Sequence, residues 1–375
     1  MTARPIKILC VVGARPNFMK IAPIMRAFGR PDSGIRARLL HTGQHYDEEM
    51  KKSFFDQLGI PEPDVDLGVG SGSHAEQTAE IMKRFEPELD SWQPDAILVV
   101  GDVNSTIACA LVASKKGIKV IHVEAGLRSY DREMPEEINR VLTDQISDML
   151  FTTERDAEDN LVREGIDSGR VRFVGNVMID TLMMNREQAV PARETLAGVD
   201  EPDWFGDAAT GYALVTLHRP SNVDDPAVLQ RLLDTLVEIS RRLPIVFPVH
   251  PRTRDRIDAA GLRRQLQQGR IATLPPLGYK ELLGLMESAT VVLTDSGGIQ
   301  EETTALGVPC ITLRENTERP VTVTEGTNTI VGSDPGKIMR AFDEVMANGG
   351  KRGRVPELWD GHAAERIASE IRRWL

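Results

Sequence analysis

Short apolar runs rich in valine, isoleucine and leucine recur along this chain, and each ends abruptly in a glycine or an ionisable residue. Ile6–Val12 closes at Gly13, Ala96–Val100 at Gly101-Asp102, and Ile118–Val123 at Glu124. Tyr212–Leu217, Ile245–Val249 and Val291–Thr294 repeat the pattern and close at His218, His250 and Asp295. Runs this short and this uniformly apolar are predicted to be parallel strands with both faces covered. Helical patterns lie between them, from about Pro16 to Phe28, over Ser105–Lys115 and over 297–306. Lys115-Lys116-Gly117 reads as a helix stop, with cations at the negative end and glycine beyond. Gly307 ends the later helix and hands over to an expected strand Val308–Leu313. Regular βα alternation predicts an α/β protein with helices on both faces of its sheets.

The chain has 375 residues, too many for one ordinary core, and suits two domains. Pro191–Gly211 is rich in Pro, Asp and Gly and follows a Met-rich stretch. Residues 177–211 are therefore the expected junction, dividing residues 1–176 from residues 177–360 as two Rossmann-like halves. In the last segment Ala364, Ile367, Ala368, Ile371 and Leu375 fall at helical spacing. A helix over 361–375 must bury that stripe, and packing back on the first half is the expectation.

Net charge of −11 argues against nucleic acid or an anionic membrane as partner. Any phosphate must be held by local donors. Cys10, Cys109 and Cys310 show neither pairing nor metal spacing and read as reduced core thiols. Met-Thr-Ala-Arg-Pro runs straight into a strand, and no apolar run approaches membrane-spanning length, so the expected location is the cytoplasm.

The densest chemistry lies in 291–302, Val-Val-Leu-Thr-Asp-Ser-Gly-Gly-Ile-Gln-Glu-Glu. A strand that feeds a helix through Ser296-Gly297-Gly298 aims bare N–H groups beyond its own end, and glycines let a phosphate approach. Glu301 and Glu302 would repel that phosphate, yet one of them leaning past it suits a sugar hydroxyl. Phosphate plus sugar hydroxyl points to a nucleotide. The alternative for this segment alone is a well-capped helix start. Glu124 directly follows a buried run, where a lone carboxylate is costly unless paired or used. Arg128, Asp131, Arg132, Glu133, Glu136, Glu137 and Arg140 crowd the loop after it and the predicted helix start at Pro135-Glu136-Glu137. The seven histidines are scattered: His41 and His45 are split by Gly43, and His218 and His250 follow separate strands, so no metal is expected.

Taken together, these strings resemble the UDP-N-acetylglucosamine 2-epimerase family. They are Gly13-Ala14-Arg15-Pro16-Asn17-Phe18-Met19-Lys20, Thr42-Gly43-Gln44-His45, Gly101-Asp102, 122–128, 134–140, Leu217-His218-Arg219-Pro220, Asp295–Glu302 and Thr317-Glu318-Arg319-Pro320, in family order. The resemblance implies the GT-B fold, two Rossmann-like domains with a cleft between them, a UDP-sugar substrate, no cofactor and a homodimer. It implies catalytic roles for Asp102, Glu124, Glu136 and His218. It implies nucleotide-sugar contacts for Arg15, Lys20, His250, Ser296, Gly297, Gly298, Glu302 and Arg319, with Glu302 the ribose anchor. Gln44 and His45 match positions where bacterial members bind a second UDP-GlcNAc as activator. Gly70-Ser71-Gly72-Ser73-His74 stands where many of those members carry an Arg-Gln pair, which argues against such activation here.

The expected reaction is C2 epimerisation through loss and return of UDP. A hydrolysing epimerase releasing ManNAc, an epimerase of a modified UDP-sugar such as UDP-2,3-diacetamido-glucuronate, a GT-B glycosyltransferase and a non-catalytic sensor remain alternatives. Against transfer, neither Glu301 nor Glu302 has a glutamate eight positions away, the spacing that retaining transferases of this fold often carry.

Overall fold

A computed structural model describes residues 4–43, 59–199, 204–205 and 211–375. They fall into two compact units, the chain up to Met184 joined by Glu357–Leu375, and Asn185–Pro356.

The strands of the first unit are β1 (Ile6–Val12), β2 (Ile35–His41), β3 (Val65–Asp66), β4 (Ala96–Val100), β5 (Lys119–Ala125), β6 (Met149–Thr152) and β7 (Val171–Phe173). Among the described residues they form one parallel sheet in the order β3-β2-β1-β4-β5-β6-β7. β4, β6 and most of β1 and β5 are buried, as their continuous apolar runs require, while β2, β3 and β7 keep half-buried or exposed positions. Leu9, Val11, Ile97, Val99 and Val120 pack against Ile81, Phe85 and Leu89 of helix His74–Trp92 and against helix Asn104–Lys115. Burying each large aliphatic side chain contributes about 1.5–3 kcal/mol, which holds these helices on the sheet.

The C-terminal helix Ala363–Trp374 belongs to this unit. Its stripe, Ala364, Ile367, Ala368 and Ile371, is buried. Asp180 caps its start, accepting the Ala363 and Ala364 N–H groups at 3.0 and 2.7 Å. Trp359, just ahead of the helix, is buried and donates its indole N–H to the Thr153 carbonyl at 3.0 Å.

The second unit repeats the plan with β8 (Ala213–Thr216), β9 (Ile245–Pro248), β10 (Ile271–Leu274), β11 (Val291–Thr294), β12 (Cys310–Thr312) and β13 (Asn328–Ile330). Among the described residues these strands order as β10-β9-β8-β11-β12-β13, all parallel. Its core joins Val215, Phe247, Leu293 and Ile311 to Leu229, Leu233 and Leu236 of helix Pro226–Ser240 and to Phe342 of helix Pro335–Asn348.

In each sheet the chain starts centrally, winds one way, then returns to wind the other. The strand order reverses between β1 and β4 in the first unit and between β8 and β11 in the second. Ligands of open parallel sheets bind beyond the strand ends at such a reversal. The two units thus form the α/β two-domain fold expected from the sequence. The expected strand Val308–Leu313 is shorter, Cys310–Thr312. β5 is longer than expected and runs through Glu124 to Ala125, with its register shifting between Val123 and Ala125. All three cysteines are free and buried, and burial pushes their thiols up.

Candidate active site

In the first unit the reversal point is pinned by Asn17. Its Oδ1 accepts the Gly13 and Ala14 N–H groups, both at 3.1 Å, and its Nδ2 donates to the Val100 carbonyl at 3.0 Å. One side chain therefore ties the loop after β1 to the end of β4. Three residues on, Lys20 lies on the same face of helix Arg15–Phe28 and is buried. Its ammonium meets the buried Glu124 carboxylate.

Glu124 has φ 71°, a left-handed conformation that side chains other than glycine seldom adopt. A bulge at this position re-aims a side chain where an ordinary strand residue would point into the sheet's covering layer, and such strain gathers at functional sites. Gly101, at the end of neighbouring β4, has φ 67°, and a Cβ there would fall 2.9 Å from Lys20 Nζ. Next to it, Asp102 pairs with Arg140 at 2.6 Å. Arg140 also meets Glu137, which accepts the Ser129 N–H and hydroxyl at 3.0 Å and the Tyr130 N–H at 2.9 Å. Glu136 lies half-buried in the first turn of helix Pro135–Ile146, four residues before Arg140 and so on the same helix face. The structure brings Lys20, Glu124, Asp102 and Arg140 together at the ends of β4 and β5, and Glu136 enters on the helix that carries Arg140.

In the second unit Asp295 follows β11 and is buried. Its Oδ1 lies 2.8 Å from His218 Nδ1. Its two oxygens also accept the His218 N–H at 3.1 and 3.0 Å, the Arg219 N–H at 2.9 Å and Asn222 Nδ2 at 3.2 Å. Burial alone would raise its pKa, but His218 and these N–H donors outweigh that and hold the carboxyl below its ordinary range. The His250 ring stands 5.6 Å from the His218 ring, centre to centre, and its Nδ1 accepts the Arg252 N–H at 3.2 Å.

Ser296 is the N-cap of helix Gly297–Leu306. A Cβ on Gly297 would lie 2.6 Å from a Glu318 oxygen, so any larger residue there would displace that carboxylate. Burial would raise the Glu318 pKa, but Arg319, Arg314 at 2.9 Å and Arg219 hold it far below the usual range. Glu301 is buried against Arg319 Nε at 2.7 Å. Glu302 is buried and accepts the Tyr279 hydroxyl at 2.9 Å. Burial pushes its pKa up to about 7, with Tyr279 opposing and Glu301 reinforcing. Among the described residues no group of His, Cys, Asp and Glu could hold a metal ion. No helix among them is long and apolar enough to cross a membrane.

Residues 29–372 match the model of the UDP-N-acetylglucosamine 2-epimerase family. The chain belongs to this family. A UDP-N-acetylglucosamine 2-epimerase of Methanocaldococcus jannaschii is 42% identical over 365 residues, covering 96% of this chain and 98% of its own. The crystal structure of UDP-GlcNAc 2-epimerase from that organism, in complex with UDP-GlcNAc and UDP, has a TM-score of 0.84 at 41% identity, covering 98% and 100% of the two chains. UDP-2,3-diacetamido-2,3-dideoxy-D-glucuronate 2-epimerase of Pseudomonas aeruginosa is 41% identical over 331 residues, 88% of this chain and 89% of its own.

Within this family member, three expected site positions escape description. Arg15 opens helix Arg15–Phe28, but its side chain lies outside the described residues, as do Gln44 and His45 entirely. Reading the sequence also passes over partners that only packing supplies. Asp295 was visible as a strand-end carboxylate, and its pairing with His218 was signalled only by both residues closing strands. Arg140 and Glu137 read as part of a charged helix start, and nothing in their spacing marks Asp102 as the partner of Arg140. Tyr279 lies 23 positions from Glu302 and carries no local signal at all.

Proposed function

We propose that this protein inverts C2 of UDP-N-acetylglucosamine, giving UDP-N-acetylmannosamine, by eliminating UDP and adding it back. The observation that carries the reading is the juxtaposition of Asp102 and Glu124 at the ends of adjacent strands, each held by a buried cation. C2–H has no neighbouring carbonyl to acidify it, so UDP must leave before the proton becomes removable. Loss of UDP breaks the C1–O bond and builds positive charge at C1. A carboxylate then removes the C2 proton, the C1=C2 bond forms, and a glycal results. A carboxylic acid on the other ring face returns a proton to C2 while a UDP oxygen rebuilds the bond to C1. Asp102, Glu124 and Glu136 are the groups of this chain suited to those transfers. One carboxylate gains a proton and another loses one, so the protein exchanges a proton with water before the next turnover.

The departing diphosphate needs donors. His218, Arg219, Arg319 and the N–H groups at Ser296-Gly297-Gly298 supply positive potential, with Arg15, Lys20 and His250 as further contacts and Glu302 on the ribose. We take the protein to work as a cytoplasmic homodimer without cofactor.

Incubation with UDP-GlcNAc in D₂O, followed by NMR at C2, tests the reading. Deuterium at C2 in intact UDP-ManNAc is the expected result. Free ManNAc with UDP would place the protein among hydrolysing epimerases, and absence of exchange would remove the elimination route for this sugar. The 41% identity to the Pseudomonas aeruginosa enzyme favours a second reading, a diacetamido uronic acid carried on UDP as substrate. Running the same exchange with that sugar separates the two.

A further inference from the structure

The buried ring of His122, inside β5, touches an acceptor at each nitrogen. Nε2 lies 2.8 Å from the Gly101 carbonyl oxygen, and Nδ1 lies 2.6 Å from Asp144 Oδ1. A carbonyl can only accept, so Nε2 carries a hydrogen. Asp144 is buried on helix Pro135–Ile146, and its other oxygen already receives Arg128 Nη2 at 2.7 Å and the Gly126 N–H at 3.1 Å. Burial would raise the Asp144 pKa, but His122 and Arg128 outweigh that and hold the carboxyl below its ordinary range.

What this pair touches sets its meaning. Gly101 is held twice to β5, its N–H on the Val123 carbonyl at 3.1 Å and its own carbonyl on His122. Asp102 is the next residue. Asp144 grips His122 two residues before Glu124 and Gly126 two residues after it, so one carboxylate spans the left-handed bulge. Arg128 is fixed in turn by Glu164 at 2.8 and 2.6 Å, which keeps the far side of the loop in place.

We infer that His122 and Asp144 are positioning residues that hold Asp102 and Glu124 at one fixed separation, acting through the Gly101 turn and the Glu124 bulge. This rests on the reading above that those two carboxylates act on the sugar. Neither His122 nor Asp144 need touch substrate. A strained φ persists only where its surroundings over-determine it, and this pair supplies that constraint on both flanks.

The test compares wild type with His122→Gln, His122→Phe and the double variant His122→Gln with Asp144→Asn. In the double variant the two amides can rebuild the chain of bonds, the Gln amide donating to Gly101 and the Asn amide to the Gln oxygen. We expect kcat to fall about 100-fold in both single variants, with KM and UDP affinity within about threefold of wild type. The double variant should regain about tenfold of the loss. Crystal structures should show Glu124 leaving its positive φ in His122→Phe. Folded single variants with kcat within threefold of wild type overturn the inference, and so does parallel loss of kcat and UDP affinity. If wild type itself is inert on both UDP-sugars, the functional reading fails. The positioning claim is then judged by the His122→Phe structure alone, where an unmoved Gly101 turn and Glu124 bulge overturn it.

Discussion

Asp295 holds His218 from below by ring and by backbone at once. Its Oδ1 lies 2.8 Å from the imidazole Nδ1 and 3.1 Å from the same residue's N–H. A histidine fixed at Nδ1 presents Nε2 in one direction, where it would meet a departing diphosphate. The dyad forms because β8 and β11 are neighbours, with Thr216 paired in register to Thr294.

Replacing Asp295 with Asn keeps the shape but removes the charge. On the proposed function, kcat should fall about 100-fold, because the neutral amide leaves His218 a weaker partner for the leaving group. Steady-state kinetics with UDP-GlcNAc checks this, and an unchanged kcat would detach the dyad from the reaction.

Glu302 makes stability depend on pH in an unusual direction. Its carboxyl is raised from 4.5 to about 7 in the folded protein, so between those values the native state holds a proton that the unfolded chain has lost. Folding then takes up a proton, and stability falls as pH rises through that window. Glu302→Gln, which cannot ionise, should therefore gain on wild type by about 1–3 kcal/mol between pH 5 and pH 8. Urea unfolding at the two pH values measures the gap; a gap equal at both would refute the cause.

Lys20 and Glu124 are both buried, and removing one partner strands the other. Lys20→Met should cost about 3–5 kcal/mol of stability. Adding Glu124→Gln to that variant should recover a large part, because no bare charge remains. Denaturant melts of both variants decide it, and equal stability of the single and double variants would speak against the pair.

Asp102→Asn separates chemistry from nucleotide binding. Loss of a proton-transfer carboxylate should lower kcat by about 10²–10⁴-fold. UDP affinity by calorimetry should stay within about twofold, since the groups proposed for UDP lie mainly in the second unit. Full activity in this variant would take Asp102 out of the mechanism.

Much of the candidate site was readable because strand ends are readable. A buried parallel strand must be apolar and must stop somewhere, so Gly101-Asp102, His218, His250 and Asp295 announced themselves by breaking apolar runs. Lys20 was less legible: one lysine in helix Arg15–Phe28 is indistinguishable from a solvated one until β5 is laid beside it. Glu124 was expected just beyond its strand and instead sits within it, at a bulge. Local propensity cannot foresee that, since a glutamate at φ 71° is held by Lys20 and by the contacts flanking it.

Alternation of strand and helix, the division into two halves, the burial of the cysteines and the amphipathic C-terminal helix follow from the order of residues alone. Each depends on periodicity, chain length or side-chain hydropathy, which are local properties. Which carboxylate meets which cation was decided only by the tertiary structure. Asp102 with Arg140 is a pairing 38 positions apart, and His218 with Asp295 one of 77. Strand order sets those distances, and strand order comes from how the whole sheet buries its faces.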